Sequence, residues 1–318
     1  MDGFFCRRQL VSCWAFQHHW SRDPSIRTCA AGLFQILKTL GEMTMRNDQA
    51  FHGTTASFPT LSIVTPSFNQ APFLQQTLDS VLDQKYPGLE YIVIDGGSTD
   101  GSREILESYS DRLTFWVSEK DRGQVHALNK GFERAIGDWV GWQNSDDFYL
   151  PGAFESFAVA TRRFPDADIV LADIVLVDEA GTPIRDVRYV KPTYESLFAE
   201  GMVLANQAAF WRRALHERVG FLDEQYNCSF DYDWFMRLLK SGRAVHVREH
   251  WGCLRYHGQS KTSVLTERFA KENMAIRGGR APSGLSVAYS QLRRLALMLA
   301  HRDIGYVMRG LWRRAGRN

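Results

Sequence analysis

Residues 61–100 read LSIVTPSFNQAPFLQQTLDSVLDQKYPGLEYIVIDGGSTD, and the order of patterns in this stretch decides the fold. Leu61-Ser62-Ile63-Val64-Thr65 is apolar and β-branched, the signature of a buried strand, which Pro66 would stop because proline donates no ladder hydrogen bond. From Asn69 or Gln70 onward the apolar residues fall at Phe73, Leu74, Leu78, Val81 and Leu82, which is the spacing of one helical face. Lys85-Tyr86-Pro87-Gly88 makes a turn. Glu90 to Ile94 then reads as a second buried strand that ends at Asp95. Strand, helix and strand in succession imply a βαβ unit and therefore a parallel sheet.

The same alternation continues downstream. Leu113 to Val117 is a third strand, residues 124–136 a helix, and Trp139 to Trp142 a fourth strand that runs into Asp146-Asp147. Farther on, Ala167 to Val177 and Ala244 to Val247 read as strands, and Tyr194 to Glu200 and Asp231 to Leu239 as helices. Gly96-Gly97 fits neither phosphate-loop pattern, GxGxxG or GxxxxGK[ST]. These glycines are read as turning the chain, with Ser98, Thr99 or Asp100 capping the next helix.

The 318 residues suit one large α/β domain or two smaller ones, and 44% hydrophobic content supplies a core. A net charge of +2 argues against nucleic acid as a partner of the whole chain. Five cysteines without CxxC spacing point to a reducing compartment. No run approaches the roughly 20 apolar residues of a membrane span, so a cytoplasmic protein is expected. Residues 1–58 show no clear period and are read as an extension, with Met43 and Met45 as internal starts.

The tail differs. Residues 283–318 hold seven arginines against one acid, Asp303, while Leu285, Ala288, Leu292, Leu295 and Leu299 share a helical face. Such a basic amphipathic helix suits peripheral contact with the inner face of a membrane, or packing on its own domain with a solvated basic face.

Asp146 and Asp147 admit two readings, a solvated turn or a cation-binding pair. Ligands of open parallel sheets bind outside the carboxyl ends of the strands. Pro66-Ser67-Phe68-Asn69, Asp95 and Asp146-Asp147 all follow strands, and their gathering at one edge would favour the cation.

The motifs Val64-Thr65-Pro66-Ser67-Phe68-Asn69, Val93 to Gly101 (VIDGGSTDG) and Asn144-Ser145-Asp146-Asp147 resemble, in order and spacing, those of family 2 glycosyltransferases. Glu119 to Gly123, Ala127 to Gly131 and Gly137-Asp138 match between them, and the resemblance covers about residues 60–262. It implies a GT-A fold, a Rossmann-like and mostly parallel sheet flanked by helices, with a helical tail. It also implies an inverting transfer from a nucleotide-sugar (UDP-, GDP- or dTDP-sugar) to a glycan or lipid-linked sugar acceptor, with Mg²⁺ or Mn²⁺, in cell-surface polysaccharide synthesis. Residues 59–150 would be the nucleotide-sugar half, 151–278 the acceptor and catalytic half, and 279–318 the tail.

Carried over by position, Pro66, Phe68 and Asn69 would line the nucleobase pocket, and Asp95 would contact the base or ribose. Asp121 and Lys130 would lie near the donor. Asp147 would hold the metal, Asp146 the ribose, sugar or metal, and Gln207 would meet the acceptor. His257, in a His-x-x-Ser loop that runs to Ser260 and Lys261, would be a metal ligand or diphosphate contact. The general base falls in Ser229 to Arg237, where Phe230 replaces the family's usual Glu. Asp231 is preferred, since Asp233 and Arg237 stand at i and i+4 and can pair; Asp233 is the second choice. A nucleotidyltransferase or an inactive nucleotide-sugar or glycan-binding module remains as an alternative. Trp142, Trp211, Trp234 and Trp251 are read as core before sugar-stacking residues.

Overall fold

The computed structural model describes residues 58–258 and 266–315. The internal starts at Met43 and Met45, the extension up to residue 57, and Ser260 with Lys261 lie outside them. Residues up to Arg294 form one unit, and those from Leu295 onward belong to a second.

Strand β1 (Leu61–Ser67) is buried along its whole length. It runs through Pro66 rather than stopping there. Leu61 N–H and Ser67 C=O face β2 (Leu89–Asp95) through Gly88 and Gly96, while Val64 C=O accepts from Gln143 on the opposite side. Alternation therefore aims the Pro66 nitrogen at the β4 side (Trp139–Trp142), beyond the last residue of that strand, so no ladder bond is lost. Helix α1 (Ala71–Leu82) connects β1 to β2 and buries Leu74, Leu78 and Val81.

The next helix, α2 (Ser102–Ser108), starts from Gly101 in the left-handed region at φ +98°. Of the three expected capping residues only Asp100 reaches it, accepting from Ser102 N at 3.0 Å and also from Ala71 N of α1 at 2.9 Å. Ser98 and Thr99 are turned instead toward Asp95 and Asn69. β3 (Phe115–Ser118) and α3 (Gln124–Arg134) complete the first half.

The second half contributes β5 (Phe148–Tyr149), α4 (Ala153–Arg163), β6 (Ile169–Val177), β7 (Pro183–Val187), α5 (Tyr194–Glu200), β8 (Ala209–Arg212), α6 (Arg213–Val219), α7 (Phe230–Ser241) and β9 (Ala244–Arg255). β9 is far longer than its apolar start implies. A register shift against β6 lets Arg248 and Glu249 bulge out before pairing resumes at His250. Among the described residues one sheet holds all nine strands, ordered β3-β2-β1-β4-β8-β6-β9-β5 with β7 on β6. β8 enters antiparallel between β4 and β6, and β5 and β7 are also antiparallel; the other six strands share a direction.

The two sheet faces carry separate cores. Ile63, Val93 and Val170 pack with α1 and α4, whereas Val64, Ile94 and Leu171 pack with α3 and α7. Trp142, Trp211 and Trp234 cluster with Phe132 in the second core, and Trp251 sits in the first. All four tryptophans are almost fully buried, so they act as core; only Trp142 also floors the cleft described below.

Three further helices follow: α8 (Thr266–Ile276), α9 (Gly284–Ala300) and α10 (Ile304–Ala315). In α9, Ser290 and Arg294 bond Glu200 of α5, at 2.6 and 2.9 Å. The apolar stripe, read as membrane-facing or packed on its own domain, is exposed: Leu285 by 85% and Leu292 by 57%. Among the described residues no helix is long and apolar enough to cross a membrane.

Candidate active site

A cleft of about 920 Å³ opens at the carboxyl edge of the sheet. The ends of β1, β4 and β9, the turn leading into β8 and the start of α7 all contribute to it. This convergence follows from topology, because a parallel sheet sends every strand exit to the same side.

On one wall stand Pro66 and Phe68, the ring of Phe68 being 59% exposed. Asp121 faces the same side, and Gly96 has no side chain where a Cβ would stand 2.8 Å from the Asp121 carboxylate. Three residues expected at the donor do not line the cleft. Asp95 is fully buried beneath it, accepting from Gly97 N (3.1 Å), Ser98 N (2.9 Å) and Ser118 Oγ (2.6 Å), with Ser98 Oγ on its other oxygen. Asn69, at φ +52°, accepts from Thr99 N and donates its own N–H to Ser98 Oγ. Lys130 is paired with Glu119. Asp95 and Asn69 shape the loop that bears Phe68, and none of the three faces the cleft.

The acid pair splits. Asp147 turns inward: its Oδ1 accepts from Arg255 N (2.8 Å), and its Oδ2 from Gln207 Nε2 (2.6 Å) and Asn144 Nδ2 (3.0 Å). Burial, and then the neighbouring charge of Asp146, push its carboxyl well above the usual range against these bonds. Asp146 is the outward member, with Oδ2 3.1 Å from His257 Nε2. Asp147, expected to hold the metal, meets three protein donors here while still belonging to the cleft lining. Gln207, expected at the acceptor, spends its amide on Asp147 in the same way.

Arg255 holds the acid turn. Its Nε donates to Asp146 O (2.7 Å), Nη1 to Glu179 O (2.6 Å) and Nη2 to Gln76 Oε1 (2.6 Å), and its guanidinium lies over Phe73 and Phe148. Arg255 begins the stretch that resembles the family's His-x-x-Ser loop, but nothing in the local sequence announces these distant partners.

Among the described residues no group of three or more His, Cys, Asp or Glu is arranged to hold a metal. The pair Asp146 and His257 nonetheless fits Mg²⁺ or Mn²⁺. Such ions take one or two protein ligands and fill their remaining positions with water and phosphate oxygens. Opposite the pair, Asp231 lines the cleft near the start of α7, while Asp233 faces away into an ion pair with Arg237 at 2.8 Å. Five buried polar atoms of cleft-lining residues, Ser67 Oγ, Trp142 Nε1, Asn206 Nδ2, Ser229 Oγ and Asn273 Oδ1, have no hydrogen-bond partner within the described residues.

A family model described as Glycosyl transferase family 2 matches residues 62–220. Over 92 residues the chain is 41% identical to a putative teichuronic acid biosynthesis glycosyltransferase, TuaG, of Bacillus subtilis, covering 28% of this chain and 36% of that protein. Among solved structures, S. aureus TarS 1-349 in complex with UDP-GlcNAc aligns with a TM-score of 0.56 at 18% identity, covering 77% of this chain and 73% of that one. A mannosyltransferase from Pyrobaculum calidifontis in complex with GDP-Man and Mn²⁺ aligns at 0.52 and 20% identity, covering 89% and 84%. At these identities the likeness is one of fold, and that fold is GT-A. The matches span 32% to 59% of the length of the first curated relatives.

Proposed function

Because this chain belongs to glycosyl transferase family 2, we propose that it moves a sugar from a nucleotide-sugar donor to an acceptor hydroxyl by one inverting displacement. UDP-, GDP- and dTDP-sugars are the candidate donors, and a glycan or lipid-linked sugar in polysaccharide assembly is the acceptor class. The observation that carries this reading is that one cleft is lined by an exposed aromatic face, a carboxylate–imidazole pair and a separate carboxylate at a helix start.

Each group has a role its surroundings support. Phe68 offers its ring to the base beside Pro66, and Asp121 stands at the same wall. Asp146 and His257 would hold the divalent cation, which when bound offsets the charge of the departing diphosphate. Asp147, Gln207, Asn144 and Arg255 keep that turn rigid. Asp231 takes the proton from the acceptor hydroxyl as it attacks. Asp233 is committed to Arg237, whereas Asp231 lines the cleft.

A screen of UDP-, GDP- and dTDP-sugars with and without Mn²⁺ tests the reading. Release of nucleoside diphosphate and a product of inverted anomeric configuration are expected. Release of pyrophosphate would mean nucleotidyl transfer, and donor binding without turnover would mean an inactive module.

The tail supports peripheral membrane contact as part of the same proposal. In α10, Ile304, Met308 and Trp312 are exposed at i, i+4 and i+8, and arginines predominate across residues 283–318. An apolar strip bordered by cations suits the headgroup layer of an anionic bilayer. Sedimentation with vesicles containing phosphatidylglycerol, absent with phosphatidylcholine alone, is the expected result.

A further inference from the structure

At the start of helix α7, Asp231 Oδ1 accepts from Tyr232 N at 2.7 Å, but the N-cap side chain does not take part. Ser229 occupies the N-cap position and makes no capping bond, and its hydroxyl is buried without a partner. A helix start leaves its first amides unsatisfied, and here the acceptor comes from a different helix. Glu272 of α8 places Oε2 2.8 Å from Ser229 N and 2.9 Å from Cys228 N, and Oε1 3.3 Å from Asn227 N. Arg268, one turn earlier on α8, donates Nε to the same Oε1 at 2.9 Å.

One carboxylate thus gathers three successive amides and an arginine. Glu272 is 8% exposed. Burial works against its charge, but the Ser229 and Cys228 amides and Arg268 outweigh that, and the carboxyl is held below its usual range. Its helix neighbours Phe269 and Asn273 line the cleft. α8 therefore forms part of the wall and also holds the turn from which α7 departs. At position 230, Phe230 is buried with its ring 6.1 Å from that of Trp142, and the carboxylate that meets the amides just before the helix is Glu272, distant in sequence.

We infer that Glu272 is a positioning residue for the transfer step: by clamping the 227–229 turn it sets where Asp231 meets the acceptor hydroxyl. This rests on the reading of Asp231 as the base. Its effect is confined to one wall, because the residues expected to hold the nucleotide follow β1, β4 and β9. Weakening the clamp therefore lowers turnover and leaves donor affinity alone. Glu272→Gln keeps the shape but replaces one acceptor oxygen with a donor that cannot receive an amide N–H.

The test compares Glu272→Gln, Glu272→Asp and Asp231→Asn in the full chain, using whichever UDP-, GDP- or dTDP-sugar the screen selects. Expected for Glu272→Gln are a kcat at least tenfold down, a donor KM within twofold of wild type, and full stoichiometry of nucleoside diphosphate binding. Glu272→Asp recovers part of the rate. A normal kcat, or a kcat that falls only in step with lost binding sites, overturns the inference. Should Glu272→Gln fail to fold, Arg268→Gln is read by the same criteria, with a smaller loss expected and a normal kcat overturning the clamp. Asp231→Asn separates the two claims. If it turns over like wild type the base assignment fails; if it is inactive while Glu272→Gln is normal, only the positioning role fails.

Discussion

Acidification from pH 7.5 to 5 should weaken this fold through one side chain, His216. It lies on α6, with ring centroids 4.9–5.0 Å from Phe132, Phe221 and Trp234, and neither ring nitrogen has a partner. Burial first, and then the charges of Arg237 and Arg213, lower its pKa to about 4 from the ordinary 6.5. The folded chain thus binds this proton less readily than the unfolded chain, and stability falls as pH drops below 6.5. The loss is roughly 2 kcal/mol at pH 5 and levels off near 3 kcal/mol below pH 4, at about 1.4 kcal/mol per pKa unit. Urea unfolding at pH 7.5, 6 and 5 measures it, and His216→Phe isolates it from the carboxylates. The variant should match or exceed wild-type stability at pH 7.5 and lose about 2 kcal/mol less on reaching pH 5. Parallel pH curves for the two proteins would refute the reasoning.

Phe68→Ala should leave unfolding unchanged, since the ring is largely exposed, but weaken nucleotide binding. Base–aromatic stacking is worth about 1–3 kcal/mol, so titration calorimetry should read a loss of about 5- to 150-fold. Gly252→Ala should reduce both stability and kcat. A methyl there would overlap the Gln207 carbonyl and stand 2.8 Å from Gln207 Cβ, displacing the residue that grips Asp147; overpacking of this kind costs about 1–3 kcal/mol, read by urea unfolding. Arg255→Lys keeps the charge but loses the fork that meets Asp146 O, Glu179 O and Gln76 at once. A loss of about 3 kcal/mol in unfolding free energy is expected, along with a raised Mn²⁺ requirement in the transfer assay.

What could be read from the sequence was what depends on short spacing. The β1–α1–β2 order, β4 and the start of α7 follow from periodicity, and the strand-end rule placed Phe68 and Asp146 at one edge. Residues whose partners are distant in sequence were not legible. Arg255 meets atoms 76, 109 and 179 positions away, and Glu272 reaches back 43 to 45 residues to its amides. The same limit explains the departures. An acid or amide at a strand end can face the ligand or brace the loop. Asp95, Asn69 and Asp147 brace it, because nearby amides and hydroxyls claim their oxygens first. Pro66 continued its strand because β4 ends earlier, which only the register reveals. β8, a short antiparallel strand between β4 and β6, carries too little pattern of its own to be seen.

Hydrogen exchange with and without the donor nucleotide and Mn²⁺ probes the central claim most directly. The account predicts slowed exchange together in residues 66–70, 143–147 and 254–258, three segments distant in sequence that share one cleft wall. Protection confined to one of them, or appearing on another surface, would contradict it.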